Sequence, residues 1–128
     1  MTEITVVAAA IIHKNKLLVT QRGSGSFQGM WELPGGKVEN NETFEEALKR
    51  EILEELALNI HIEKFMTTIY YQYPSFHLTM HVYLCQIENG ELVLNEHSAS
   101  RWVTSSKLKY INWLPADLDL LPKLEKIY

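Results

Sequence analysis

Three carboxylates, Glu51, Glu54 and Glu55, stand within one short stretch, "REILEELAL" (Arg50–Leu58). On a helix, at about 100° per residue, they fall within an arc of roughly 100°. Unpaired like charges one turn apart destabilise a helix by a few tenths of a kcal/mol per pair, so the grouping asks for a counter-charge. Spacing alone leaves two readings open: a solvated face laced with ion pairs, or a site for a hard cation. Ion pairing suits the first half of the segment, where Glu45–Lys49 and Glu46–Arg50 have favourable i,i+4 spacing. It suits the second half poorly, because one turn after Glu51 comes Glu55. Mg2+ or Mn2+ takes oxygen ligands, keeps several waters and shares its remaining positions with phosphates. A cation here would therefore favour a polyphosphate ligand and reconcile an acidic chain with an anionic substrate.

Other reactive residue types point elsewhere. Cys85 is the single cysteine, which rules out an intrachain disulfide and points to a reducing compartment. Its place in an alternating apolar run reads as a buried, inert thiol. His77 and His81 share one strand face, but no third soft ligand has the spacing of a zinc site. His13, His61 and His97 belong to no motif.

The carboxylates need a helix to hold them. Thr43 followed three residues later by Glu46 is a capping box, so a helix starts at Thr43, with Phe44, Leu48, Ile52 and Leu56 as its buried stripe. Before it, Ile4–His13 and Lys16–Arg22 read as strands meeting at a Lys14-Asn15 turn. "GSGSFQGM" is a flexible connection, and "WELPGGKVENNE" a structured loop with a short strand. After it, Ile60–Tyr73 and Phe76–Ile87 are two strands joined near Pro74-Ser75. The second alternates Phe76, Leu78, Met80, Val82 and Leu84 with His77, Thr79, His81, Tyr83 and Cys85, and its His-bearing face is the expected cleft side. "SRWVT" is a further strand. "PADLDLLPKLEKIY" is a terminal helix that Pro122 bends or shortens. One central helix, several strands and a terminal helix make an α/β layered domain, expected to occupy residues 1–128 as one unit.

The formal charge of −4 over 128 residues argues against a bulk electrostatic grip on nucleic acid polymers or anionic membranes. The apolar run Ile4–Ile12 lacks a basic flank, carries Glu3, and is too short to cross a bilayer. A buried strand and a cytoplasmic protein are expected.

From Gly36 onward the residues carry a recognisable pattern. Gly36, five residues, Glu42, seven residues, then Arg50-Glu51-Ile52-x-Glu54-Glu55-x-Ala57-Leu58 resembles the Nudix box, G-x5-E-x7-R-E-U-x-E-E-x-G-U, where U is a bulky aliphatic residue. Every specified position is met except the last glycine, here Ala57. "WELPGGKVE", Arg22 at a strand end, "EHSASRW" and "LPADLDLL" extend the resemblance toward the MutT-like nucleoside triphosphate pyrophosphohydrolases of the CTP/5-methyl-dCTP or 8-oxo-dGTP type.

This resemblance implies an α/β/α sandwich with a mixed sheet, and Mg2+-dependent hydrolysis (Mn2+ as a substitute) of nucleoside triphosphates to monophosphate and pyrophosphate, a nucleotide-pool sanitation activity. Residue by residue it implies Glu51, Glu54, Glu55 and Glu96 as metal ligands, with the Gly35 carbonyl nearby. Glu51 would activate the attacking water, with Glu54 the second choice for that role. Arg50 would orient Glu51, and Glu42 would brace the loop. Arg22 and Lys37 would meet phosphates, Glu32 would lie near the nucleotide, and Asp117 would read the base. The expected partner is a small nucleotide, for a monomer or homodimer that binds neither nucleic acid polymers nor membranes. Two alternatives stand beside it: an ADP-ribose or nucleotide-sugar pyrophosphatase, for which Pro74 lies at a fitting distance after Leu58, and a catalytically silent nucleotide-binding regulator. At Ala57, either the helix ends later with Asn59 in the left-handed conformation, or Ala57 stays helical.

Overall fold

A computed structural model describes residues 2–128 of the chain. The apolar N-terminal run becomes β1 (Thr2–His13), which turns through Lys14 and Asn15, both at positive φ, into β2 (Lys16–Gln21). Two short strands follow, β3 (Trp31–Glu32) and β4 (Gly35–Lys37), then helix α1 (Phe44–Leu56). The long strands β5 (Asn59–Gln72) and β6 (Phe76–Asn89) precede β7 (Ala99–Val103) and a 3-10 turn at Ser105–Tyr110. Pro122 splits the expected terminal helix into two single turns, α2 (Pro115–Leu118) and α3 (Leu121–Leu124).

The strands order as β3-β2-β1-β6-β5, with β4 on β1 and β7 on β2. β1 runs parallel to β6, from Thr2 opposite Phe76 to Ile11 opposite Cys85, while the other pairings are antiparallel. The sheet is therefore mixed. A strand covered on both faces needs apolar residues at consecutive positions, and β1 supplies them. Val7, Ala9 and Ile11 pack toward Ala47, Leu48, Ile52 and Leu56 of α1. Ala8 and Ala10 pack into the other layer with Trp31, Leu33, Met80, Ala116, Leu120 and Leu124. These layers form the expected α/β sandwich. Among the described residues, no helix is long and apolar enough to cross a membrane.

Helix α1 carries the complete capping box: Thr43 Oγ1 accepts from the Glu46 N–H at 3.1 Å, and Glu46 Oε1 from the Thr43 N–H at 2.8 Å. Three expectations fail around this helix. Phe44 is 40% exposed and stacks on His81 at 4.3 Å, so Ala47 takes its place in the buried stripe. Glu46 serves the cap, and Arg50 pairs instead with Glu42, Glu51 and Glu54.

The third concerns Ala57, which neither stays helical nor passes the turn to Asn59. It caps the helix in the left-handed conformation itself, at φ 58°. That conformation costs a non-glycine residue about 1–2 kcal/mol, whereas glycine pays back about 0.5–1 kcal/mol in unfolded-chain freedom. Ala57→Gly is therefore expected to raise the thermal midpoint by a few degrees. An unchanged or lower midpoint in a thermal melt would show that the turn is not strained.

The face of β6 is also reversed from expectation. His77 stacks with Tyr70 and His81 bonds Thr68, while Tyr83 and Cys85 lie in the α1 layer. The apolar face with Phe76, Leu78 and Met80 borders the cavity. Cys85 is fully buried, and burial pushes its thiol up to about 12, as an inert cysteine requires.

Candidate active site

A cavity of about 700 Å³ opens on the sheet face away from α1 and reaches the helix through the diglycine. Gly35 and Gly36 form this passage because a side chain at Gly35 would strike backbone and one at Gly36 would displace the Glu51 carboxylate. A Cβ at Gly35 would overlap the Val7 carbonyl, and one at Gly36 would overlap the Glu51 carboxylate. The backbone thus approaches β1 on one side and the acidic helix on the other.

The acidic end of the cavity is under-compensated. Glu55 is 5% exposed, and its Oε2 has no hydrogen-bond partner. Burial, then a hydrogen bond with Glu51 and the charges of Glu51, Glu96 and Glu32, push its carboxyl up to about 9. Arg50 draws the neighbouring acids outward: Nη1 lies 3.0 Å from Glu51 Oε1 and 3.3 Å from Glu54 Oε2, and Nε and Nη2 grip Glu42 at 2.6 and 2.9 Å. Nη2 also donates to the Lys37 carbonyl at 3.1 Å. Among the described residues, no three Asp, Glu, His or Cys side chains form a ready ligating group. Glu42, Glu51 and Glu54 stand outside the cavity wall, whereas Gly35, Lys37, Glu55 and Glu96 line it.

In the middle, Arg22 makes a two-pronged contact with Glu32, Nε to Oε2 at 3.2 Å and Nη2 to Oε1 at 2.9 Å. His97 Nε2 lies 3.3 Å from the same Oε2. Burial opposes ionisation of Glu32, but the hydrogen bonds from His97 and Arg22 outweigh it and hold the carboxyl below its ordinary range. At the far end, Phe27, Tyr73 and Phe76 pack ring on ring at 5.3 and 4.9 Å. The Tyr73 hydroxyl accepts from the Ala116 N–H at 3.1 Å, which places Asp117 beside this aromatic group. Asp117 is 4% exposed, and its Oδ2 accepts from the Leu33 N–H at 2.8 Å. Burial raises its carboxyl to about 7, against the Leu33 hydrogen bond and with help from Glu32. At neutral pH this group can therefore accept or donate a hydrogen bond.

Arg22, Glu32, Gly35, Lys37, Glu55, Glu96 and Asp117 thus surround one cavity, with Glu51 against its diglycine edge. Sequence reasoning missed His97, Tyr73, Phe27 and the apolar floor of Leu78 and Met80. Period-two alternation in β6 had marked that floor, but it cannot say which face meets the cavity. His97 lies within "EHSASRW", but nothing in that stretch assigned it a role.

A mixed sheet carries helix α1 on one face and the short turns α2 and α3 on the other, with the acidic helix behind a diglycine passage. A family model described as the NUDIX domain matches residues 2–124, and the chain belongs to that family as a Nudix hydrolase. It is 34% identical to the CTP pyrophosphohydrolase of Escherichia coli (strain K12), over 94% of this chain and 90% of that protein. It is 31% identical to the 8-oxo-dGTP diphosphatase of Buchnera aphidicola subsp. Schizaphis graminum, over 95% and 93%. The crystal structure of a MutT protein from Methanosarcina mazei Go1 superposes with a TM-score of 0.86 at 25% identity, covering 98% of this chain and 94% of that one.

Proposed function

We propose that the protein hydrolyses a nucleoside triphosphate to the monophosphate and pyrophosphate with the help of Mg2+, for which Mn2+ substitutes. The observation that carries this reading is the two-ended cavity, aromatic and hydrogen-bonding around Asp117, acidic and under-compensated around Glu55. A planar base suits the first end, and a polyphosphate carrying a divalent cation suits the second. The names of the relatives, which act on CTP and 8-oxo-dGTP, lend the same support.

The donor set fits a hard divalent cation: a buried carboxylate oxygen lacks any partner, and three neighbouring acids raise its proton affinity. Glu51, Glu54, Glu55 and Glu96 would hold the ion, with the Gly35 carbonyl close by. When bound, the ion supplies charge neutralisation on the phosphate oxygens and acidifies water. Arg22 and Lys37 face the phosphates, and Arg50 holds Glu51 in orientation through its 3.0 Å contact. Glu51 takes a proton from water attacking the β-phosphorus. The bond from that phosphorus to the α–β bridging oxygen breaks, and the monophosphate leaves with the electron pair. Pyrophosphate is the other product.

A substrate panel of CTP, 5-methyl-dCTP, 8-oxo-dGTP, dATP and ADP-ribose with Mg2+ tests this reading. Monophosphate plus pyrophosphate from a triphosphate is the expected result; cleavage of ADP-ribose alone, or of nothing, would overturn it. Asp117 faces the base in this reading. Asp117→Ala is expected to lower kcat/KM for the preferred nucleotide by about 10–100-fold, the worth of a good hydrogen-bonded pair. It should also flatten the panel. A panel with unchanged preference would remove Asp117 from base recognition.

A further inference from the structure

Glu96 and His97 lie on a short strap whose ends are tied to different parts of the fold. On the helix side, the Val93 N–H donates to Leu56 O at 2.9 Å and the Asn95 N–H to Glu55 O at 3.0 Å. Asn95 Nδ2 donates to Glu54 O at 2.8 Å. These bonds satisfy carbonyls that a helix end otherwise leaves open. On the sheet side, the Ser98 N–H donates to Gln21 O at 3.0 Å, and Ser98 Oγ bonds the Gln21 side chain at 3.1 Å. Between these anchors only Glu96 and His97 remain.

Their side chains behave differently. Glu96 has no hydrogen bond or ion pair among the described residues, is exposed, and acts by charge on Glu55 across the cavity. The His97 side chain is 9% exposed and touches Glu32 through Nε2. Because the Glu32 carboxylate also receives Arg22, it is an acceptor, so Nε2 carries the hydrogen in this contact. The imidazole therefore fastens the middle of the strap to the Arg22–Glu32 pair. The strap packs closely on Gly23, next to Arg22: a Cβ there would stand 3.3 Å from the Glu96 carbonyl oxygen.

We propose that His97 is a positioning residue, whose Nε2–H on Glu32 pins the strap and holds Glu96 opposite Glu55, so that both carboxylates reach one divalent cation. The inference rests on the cation reading above and adds to it a residue outside the proposed ligand set. Outer partners that orient ligands commonly change metal affinity by 10–100-fold.

Direct titration of the nucleotide-free protein with Mn2+, read by the electron paramagnetic resonance of the free ion, tests it. His97→Leu, which fills the ring's space without a donor, is expected to weaken Mn2+ binding about tenfold or more. His97→Gln, whose amide N–H can reach Glu32, is expected to recover most of that loss. The Mg2+ concentration for half-maximal activity should follow the same order, with KM for the nucleotide at saturating Mg2+ changing far less. Wild-type Mn2+ binding in His97→Leu, or a Gln variant no better than Leu, would overturn the role. Glu96→Gln separates the ligand from the residue that positions it. Weakened binding there with normal binding in His97→Leu removes the strap inference alone, whereas unchanged binding in Glu96→Gln removes Glu96 as a ligand and the inference with it.

Discussion

Glu51→Gln is expected to leave the fold intact and reduce turnover by about 10²–10⁴-fold, the usual worth of a positioned general base. The amide keeps the shape of the carboxylate and can still accept from Arg50 Nη1, so the brace from Glu42 through Arg50 survives. What disappears is basicity next to Gly36, where a Cβ would meet the Glu51 carboxylate. One opposing effect is built in. Glu51 is a leading cause of the raised Glu55 carboxyl, and its neutralisation lets Glu55 ionise more readily. Mn2+ binding should therefore fall less than turnover does. Single-turnover rates at saturating Mn2+ distinguish the roles. A persistent loss marks Glu51 as the base, recovery at high Mn2+ marks it as a ligand only, and near wild-type turnover with Mg2+ would strike both assignments. By the same logic Glu54→Gln should lose less, since that side chain is 59% exposed against 15% for Glu51.

Glu55 carries the second large effect, visible in stability rather than turnover. Its carboxyl titrates near 4.5 in an unfolded chain and near 9 in the folded protein without a cation. Between these values the folded state holds a proton that the unfolded state releases, so stability falls as pH rises, by up to about 1.4 kcal/mol per pH unit for one fully linked group. Asp117, raised to about 7, contributes with the same sign at lower pH. His81, lowered by burial, contributes with the opposite sign, around and below the ordinary histidine range. Cys85, raised from 9 to about 12 by burial, adds the same sign only as pH approaches 9, so the window from pH 7 to 8 reports chiefly on Glu55. Thermal melts in EDTA should show a midpoint that declines through this window, and Mg2+ or Mn2+ should offset the decline by replacing the proton. The midpoint increment from the cation should accordingly be larger at pH 8 than at pH 6. In Glu55→Gln the decline between pH 7 and 8 should vanish, leaving only the later fall that Cys85 causes toward pH 9, and the cation increment should shrink. A Gln variant with the wild-type slope would show that another group titrates.

Much of this molecule is legible from local pattern. A capping box and a four-residue apolar repeat are properties of neighbouring residues, and α1 starts where they place it. The Lys14-Asn15 turn, the two long strands and the break at Pro122 follow for the same reason. The carboxylate spacing in "REILEELAL" marked the acidic helix, and the pattern from Gly36 to Leu58 marked the family.

The remaining features depend on residues far apart in sequence. Period-two alternation separates the faces of β6 but is symmetric between them, so only packing of Tyr83 and Cys85 against α1 sent Leu78 and Met80 to the cavity. The i,i+4 rule predicted Glu46 for Arg50, whereas capping claimed Glu46 and the loop returned Glu42 instead. Ala57 is left-handed because the helix must end there for β5 to start and for the 93–95 segment to bond its last carbonyls. His97 gains its contact with Glu32 only when β3 and the strap meet, 65 positions apart. Sequence by itself determined the elements and the chemical types available to the site. Tertiary structure decided which of them face the cavity and which partner each charge takes, because burial and hydrogen bonding act between surfaces that only folding brings together.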